Sequence, residues 1–264
     1  ISELVTPVRV QVAKASTQRI QIHSQGSLEA RTLTNAAAEV GGKVLFVAPQ
    51  FEAGGVICEG DVLLEIDPSD YQAAVAQAES AVAQARLIVE VEQAKAEQSV
   101  RDWKKLGREK APSSLVMRKP QLASAKAQLV AAVANLAKSQ RDLERTKLLA
   151  PYDGRVLRTH TDVASFVAPG APLADFYESD RLEIRLPIAL EDYGFIDETK
   201  PIEVTLSIEV AGEVRKWDAT VKRQDAEVDR RSRSIHLIAS LDPEAYGDPL
   251  LVPGLFVRAV VVGK

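Results

Sequence analysis

Between Ser69 and Leu106 the chain contains neither glycine nor proline and is rich in Ala, Gln and Glu. A stretch with no turn signal and high helix propensity reads as one long helix. The residues before it supply a start, with Asp67 or Ser69 as the cap and Asp70 near the positive end of the helix dipole. Stepping alternately by four and three from Tyr71 gives Val75, Ala78, Val82, Ala85, Val89, Glu92, Ala96, Ser99, Trp103 and Leu106. This is a heptad seam with polar members at Glu92 and Ser99. After a break carrying Gly107, Pro112, Ser113, Ser114 and Pro120, the rhythm returns. Leu122, Leu129, Leu136 and Leu143 fall seven apart, and Ala125, Ala132, Ser139 and Thr146 fill the alternate row. Large residues on one row and small ones on the other let two helices lie close, and the short break makes them antiparallel neighbours, an αα-hairpin over 69–147. At about 1.5 Å per residue, an arm of roughly 38 residues is close to ~60 Å long, more than a domain of this size needs for its own core. The hairpin is therefore expected to project, and the apolar Leu115, Val116 and Met117 in its far loop have no core to explain them.

On either side of the hairpin the grammar is that of strands and turns, and one phrase is written twice. Gly42-Lys43-Val44-Leu45 is matched by Gly154-Arg155-Val156-Leu157, and Glu59-Gly60 with Leu63 by Pro169-Gly170 with Leu173. Val56-Ile57 and Phe166-Val167 precede the second glycine of each unit. Each unit is too small to bury a face alone, so the two halves are expected to pack into one small sandwich over 34–68 and 148–180, with the hairpin inserted between them.

The rest of the chain, 181–264, reads as short strands: RLEIRLPI, IEVTLSIEV, WDATVKRQ, SIHLIASL and LFVRAVVV, with a helical turn at ALEDYGF. Short strands with Pro and Gly turns point to a small closed barrel, and residues 19–33 supply its missing strand. The fold class expected is thus α+β, mainly β: a split sandwich, a helical hairpin and a barrel. Residues 1–18, with alternation over 4–14, read as one strand of a further domain.

Composition removes several classes of function. The 264 residues carry a net charge of −4, so no overall basic field draws in a nucleic-acid backbone, and the basic run 228–234 has no interleaved aromatics and reads as a solvated turn. No apolar run approaches the roughly 20 residues of a membrane-spanning helix. The single Cys58 is expected to be a small packing residue and cannot form an intramolecular disulfide. His23, His160 and His236 are scattered with no second ligand at metal-binding spacing, although Asp162 lies near His160 in sequence. There is no nucleophile elbow, dinucleotide fingerprint or phosphate loop, so no enzyme, cofactor or metal site is expected.

The two half-motifs resemble the lipoyl and biotinyl carrier fold. With a long hairpin between them, the chain resembles the periplasmic adaptor subunits, or membrane fusion proteins, of tripartite efflux pumps of the resistance-nodulation-division type. EIDPSDYQAAVAQAES resembles the family's passage into its first helix and TKLLAPYDGRV its return. WDATVKRQDAEVDRRSRSIHLIASL, with Asp229 and Arg233, resembles its barrel segment, and LLVPGLFVRAVVV its closing strand. The resemblance implies a periplasmic protein held at the inner membrane through a segment outside this chain. Its implied partners are an inner-membrane transporter, an outer-membrane channel and further copies of itself, as a trimer or hexamer.

Adaptors of this type present an Arg, a Leu and a Ser at the hairpin tip. Here Leu106 matches the Leu, and Ser113 or Ser114 the Ser. Aligning Trp103 with the family's aromatic puts Asp102 at the basic position, leaving Arg101 or Lys105 as candidates, with Leu115 and Met117 as further tip residues. The tip is longer than the commonest one, and an adaptor for an ATP-driven or major-facilitator exporter is the alternative within the same architecture. A carrier protein is the alternative from another class. The turn that bears a carrier's lysine is replaced here by the hairpin, so no lipoyl or biotinyl group is expected.

Overall fold

In a computed structural model, residues 19–106, 112–197, 199–229 and 231–264 are described, and the strand expected within 1–18 lies outside them. In chain order the elements begin with β1 (Gln21–Ala30), β2 (Leu33–Ala37), β3 (Gly42–Val47), β4 (Val56–Ile57) and β5 (Val62–Ile66). The helices α1 (Ser69–Lys105) and α2 (Lys119–Glu144) follow, then β6 (Lys147–Leu149), β7 (Gly154–Thr159), β8 (Phe166–Val167) and β9 (Pro172–Glu178). The last part holds β10 (Leu182–Ala189), α3 (Leu190–Tyr193), β11 (Glu203–Val210), β12 (Glu213–Asp229), β13 (Ser234–Leu241) and β14 (Phe256–Val262). One compact unit is Leu33–Glu178, and the described residues on both sides of it in sequence form a second.

In the first unit the repeat is interlocked rather than merely stacked. Its two sheets run β2-β9-β7-β4 and β6-β5-β3-β8, so β4 of the first half lies in the second half's sheet and β8 of the second half lies in the first's. Equivalent backbone bonds lock both exchanges. Val156 donates to Gly55 and accepts from Gly54, while Val44 donates to Ser165 and accepts from Ala164. The glycines that close the next turn, Gly60 and Gly170, have nearly equal left-handed φ of 86° and 84°. Apolar side chains from both halves, among them Val44, Ile57, Leu63, Val156, Leu173 and Phe176, make one core. Neither half has a complete sheet of its own, which is why the phrase must be written twice.

The hairpin leaves this unit through adjacent strands. β5 pairs antiparallel with β6, and the Ile66 amide donates to the Thr146 carbonyl at 2.8 Å, so the chain departs and returns side by side. The Tyr71 hydroxyl donates to the Gly41 carbonyl at 2.6 Å, and Arg145 meets Glu39 at 2.7 Å, tying the base of each helix to the sandwich. Ser69 is not the cap. It is the first helical residue, and both its amide and its hydroxyl donate to Asp67, at 3.0 and 2.6 Å, holding the Asp67 carboxyl below the usual range.

α1 has 37 residues and α2 has 26, about 55 and 39 Å, with the difference taken up by turns before Lys119. The two helices pack on one another. On α1, Ala78, Val82 and Ala85 are buried and Val75 and Val89 half-buried. On α2, Ala125 is buried, and Leu122, Leu129, Leu136 and Leu143 are half-buried, as expected when only two helices share a seam.

The second unit is a closed six-stranded barrel in the order β1-β10-β13-β12-β11-β14. Its core alternates along each strand, with Ile22 and Leu28 on β1, Ile184 and Leu186 on β10, and Val204 and Leu206 on β11. Gly26 is required where β1 comes close to β10, because a Cβ there would lie 2.3 Å from the Arg185 carbonyl oxygen. One difference from the sequence reading stands out. β12 runs 17 residues, to Asp229, well past the strand expected to stop near Gln224. Register shifts against β13 between Val221 and Arg223 and between Gln224 and Val228 bulge the strand, and so break the alternation by which it would be recognised.

Candidate functional site: the hairpin tip

The last turn of α1 carries Lys104 and Lys105, whose charges complement the negative end of the helix dipole. Leu106 caps it, its amide reaching the Asp102 carbonyl at 3.2 Å, with its side chain 67% exposed. Arg101 is exposed and meets Glu97 one turn back at 3.9 Å. Residues 107–111 lie outside the described residues.

On the other side of the tip, residues 113–118 form tight turns. The Ser113 carbonyl accepts from the Met117 amide, the Ser114 carbonyl from Lys119 and the Leu115 carbonyl from Arg118, each at 3.0 Å. The Ser113 hydroxyl accepts from the Val116 amide at 3.4 Å. Ser113 and Ser114 are exposed, and Leu115 is 68% exposed. Val116 and Met117 are half-buried, so the apolar run is divided between solvent and the hairpin.

Arg118 adopts a left-handed conformation, φ 50°, as the residue before α2. That turn sends its guanidinium back across the hairpin to Glu92, whose Oε2 accepts from Nε at 3.0 Å and from Nη2 at 2.5 Å, while Oε1 accepts from Lys95 at 3.1 Å. Glu92 is the charged one of the two polar members of the α1 seam. Arg118 first, and Lys95 second, hold its carboxyl below the usual range. A carboxylate between two helices is tolerable because both oxygens are engaged by cations. Heptad counting finds Glu92, and its partner Arg118 falls seven residues before Ala125, on the extension of the alternate row but in the break before the helix, which the count does not cover. The left-handed residue before a proline-bearing helix start is visible only in the structure.

The other polar clusters are of a different kind. His160 pairs with Asp175 at 3.2 Å rather than with Asp162, which instead accepts from the Val163 amide at 2.7 Å. Asp175 also accepts from Asn35 at 2.7 Å, the main cause of its lowered carboxyl pKa. In the barrel, Arg223 makes a two-pronged pair with the buried Glu183 at 2.8 and 2.7 Å. Asp229 accepts from the Arg231 amide at 2.8 Å in the turn that also places Arg233 at a left-handed φ of 53°. Cys58 is exposed rather than packed. Among the described residues no group of three or more His, Cys, Asp or Glu is placed to hold a metal ion, and no helix is long and apolar enough to cross a membrane.

The profile of the family described as "RND MFP, barrel-sandwich hybrid domain" matches residues 34–175, the interlocked sandwich with its inserted hairpin. The chain belongs to this family. Curated relatives extend the match over the barrel. Multidrug resistance protein MdtA of Cronobacter turicensis is 25% identical over 268 residues, covering 96% of this chain and 61% of that protein. MdtA of Escherichia coli K12 is 24% identical over 266 residues, covering 95% and 60%. The chain therefore spans about three fifths of the length of the relatives it matches.

Among solved structures, a MacA–MexA chimera carrying the Pseudomonas aeruginosa MexA α-hairpin domain superposes with a TM-score of 0.68 at 20% identity, over 94% of this chain and 80% of that one. The membrane fusion protein Spr0693 from Streptococcus pneumoniae R6 gives 0.68 at 18%, over 92% and 99%. At these identities the likeness is one of fold: a mainly β chain with a split sandwich, a hairpin and a barrel.

Proposed function

We propose that this chain is a periplasmic adaptor that joins an inner-membrane exporter of the RND type to an outer-membrane channel and encloses part of the export path for small molecules. It does so as a ring of copies, without catalysing a reaction. The observation that carries this reading is the hairpin. Its helices leave an interlocked sandwich side by side and end in a tip where Leu106 and Leu115 are two-thirds exposed with no core beneath them. Apolar side chains displayed so far from a core are contact residues for another protein. Energy for export comes from the transporter, and the adaptor couples and seals.

The test is a photoreactive residue in place of the exposed Ser114, in cells making the full-length protein, with captured partners identified by mass spectrometry. Capture of an outer-membrane channel protein is expected. Capture of only further copies, or of a soluble enzyme, would overturn the adaptor reading.

A further inference from the structure

Beside the tip, on one flank of the hairpin, lies a groove of about 550 Å³ between α1 and α2. Its apolar lining is made by Ala96 and Val100 of α1 with Met117 and Leu122 of the other arm, all half-buried. On the α1 side its charges are Glu97 and Arg101, which pair with each other at 3.9 Å. On the α2 side they are Lys119 and Lys126. Neither of these two ammonium groups has an ion-pair or hydrogen-bond partner among the described residues. The groove therefore combines an apolar floor with two positive charges along one wall that have no partner among the described residues.

Lys119 and Lys126 are seven residues apart, two helical turns, so they stand on one face of α2 at a separation of about 10.5 Å. That spacing is the natural one for carboxylates at positions i and i+7 of a second helix lying alongside. An apolar residue between them would meet Val100 and Met117, the helix-in-groove mode of recognition. Complementary charge would steer such a helix in and fix its register. A second copy of this hairpin set side by side fits less well. At this height the exposed α1 residues that do not line the groove include Lys95 and Asp102, seven apart and of opposite sign, so only one of the two lysines would meet a carboxylate.

We propose that this groove receives an acidic amphipathic helix of the outer-membrane channel, with carboxylates two turns apart facing Lys119 and Lys126 and an apolar side chain on the floor between them. The proposal rests on the adaptor reading and adds to it a lateral contact of defined chemistry, which shares Arg101 and Met117 with the tip and extends from them along both helices.

Three photoreactive positions in the full-length protein in cells test it: Ser114 at the tip, Gln93, which lines the groove, and Gln98, which is exposed on the same helix and does not. Cross-linked residues are mapped by mass spectrometry. Gln93 is expected to couple to a channel helix bearing acidic residues seven apart, and Gln98 is not. Lys119→Glu with Lys126→Glu is expected to reduce the Gln93 product about tenfold or more while leaving the thermal melt unchanged. Replacing the mapped carboxylates by lysine in the channel should restore it.

Capture of the channel by Ser114 but not by Gln93 would overturn the groove and leave the adaptor reading intact. The same follows if Gln93 couples to another copy of this chain, or to a neutral or basic segment, or if its product survives charge reversal. Failure of both Ser114 and Gln93 to reach a channel protein would overturn both.

Discussion

Gly54 and Ala164 hold equivalent places in the two half-motifs, and both are left-handed, at φ 88° and 67°. A Cβ on Gly54 would meet nothing within 4 Å, so Gly54→Ala is expected to cost only the conformational penalty, about 1 kcal/mol. The next residue differs. A Cβ on Gly55 would sit 2.0 Å from the Gln50 carbonyl oxygen, and backbone cannot swing aside as a side chain can. Gly55→Ala is expected to cost about 3 kcal/mol or more, read as a shift in the urea midpoint. Equal costs for the two would mean that the Gln50 carbonyl does not approach Gly55 as closely as described.

At Glu92 the expectation concerns pH. Its carboxyl is held below the ordinary value of 4.5, so the stability it contributes is present above that value and is lost as the pH falls through the lowered one. Melting of the wild type between about pH 6 and pH 3 should therefore fall more steeply than that of Glu92→Gln. Identical pH profiles for the two proteins would remove the Arg118 pair as a stabilising contact.

At the scale of elements, the hairpin was readable because a two-helix seam has one dominant period, and nothing else in the chain repeats it. Val82 lies in the half of that seam nearer the sandwich and is 6% exposed, whereas its neighbour Ala83 faces solvent. Val82→Asp is expected to lose about 3 kcal/mol and visibly reduce helicity by circular dichroism, while Ala83→Asp should stay within about 0.5 kcal/mol. Similar losses at both would show that the helices do not pack along this row. What escaped the sequence were features that break periodicity. The bulged β12 interrupts its own alternation between Val221 and Val228, and the helix start at Arg118 depends on a backbone turn rather than a side-chain pattern. At the tip, composition alone marks Leu115, Val116 and Met117 as one apolar run. It takes the folded turn to separate the exposed Leu115 from Met117 in the groove wall.

Across the whole molecule, the repeated glycine phrase was legible, yet the exchange of β4 and β8 between halves was not. Val56–Ile57 and Phe166–Val167 are strands of two residues, too short to carry any period, and only their ladders to β7 and β3 reveal where they belong. That exchange also gives the hairpin a rigid base, because the strands flanking it, β5 and β6, sit in a sheet held by both halves. A base of this kind lets a change at the tip be judged apart from the fold. Leu106 and Leu115 are two-thirds exposed, so Leu106→Asp or Leu115→Asp should alter stability by no more than about 0.5 kcal/mol. If the tip is the coupling surface, each should nonetheless sensitise cells to exported compounds as deletion of the gene does, with normal protein levels and an unchanged melt. Full resistance with Leu106→Asp but not with Leu115→Asp would move the contact to the α2 side of the tip, beside the lysine-walled groove. Full resistance with both would mean that coupling does not pass through the tip leucines at all.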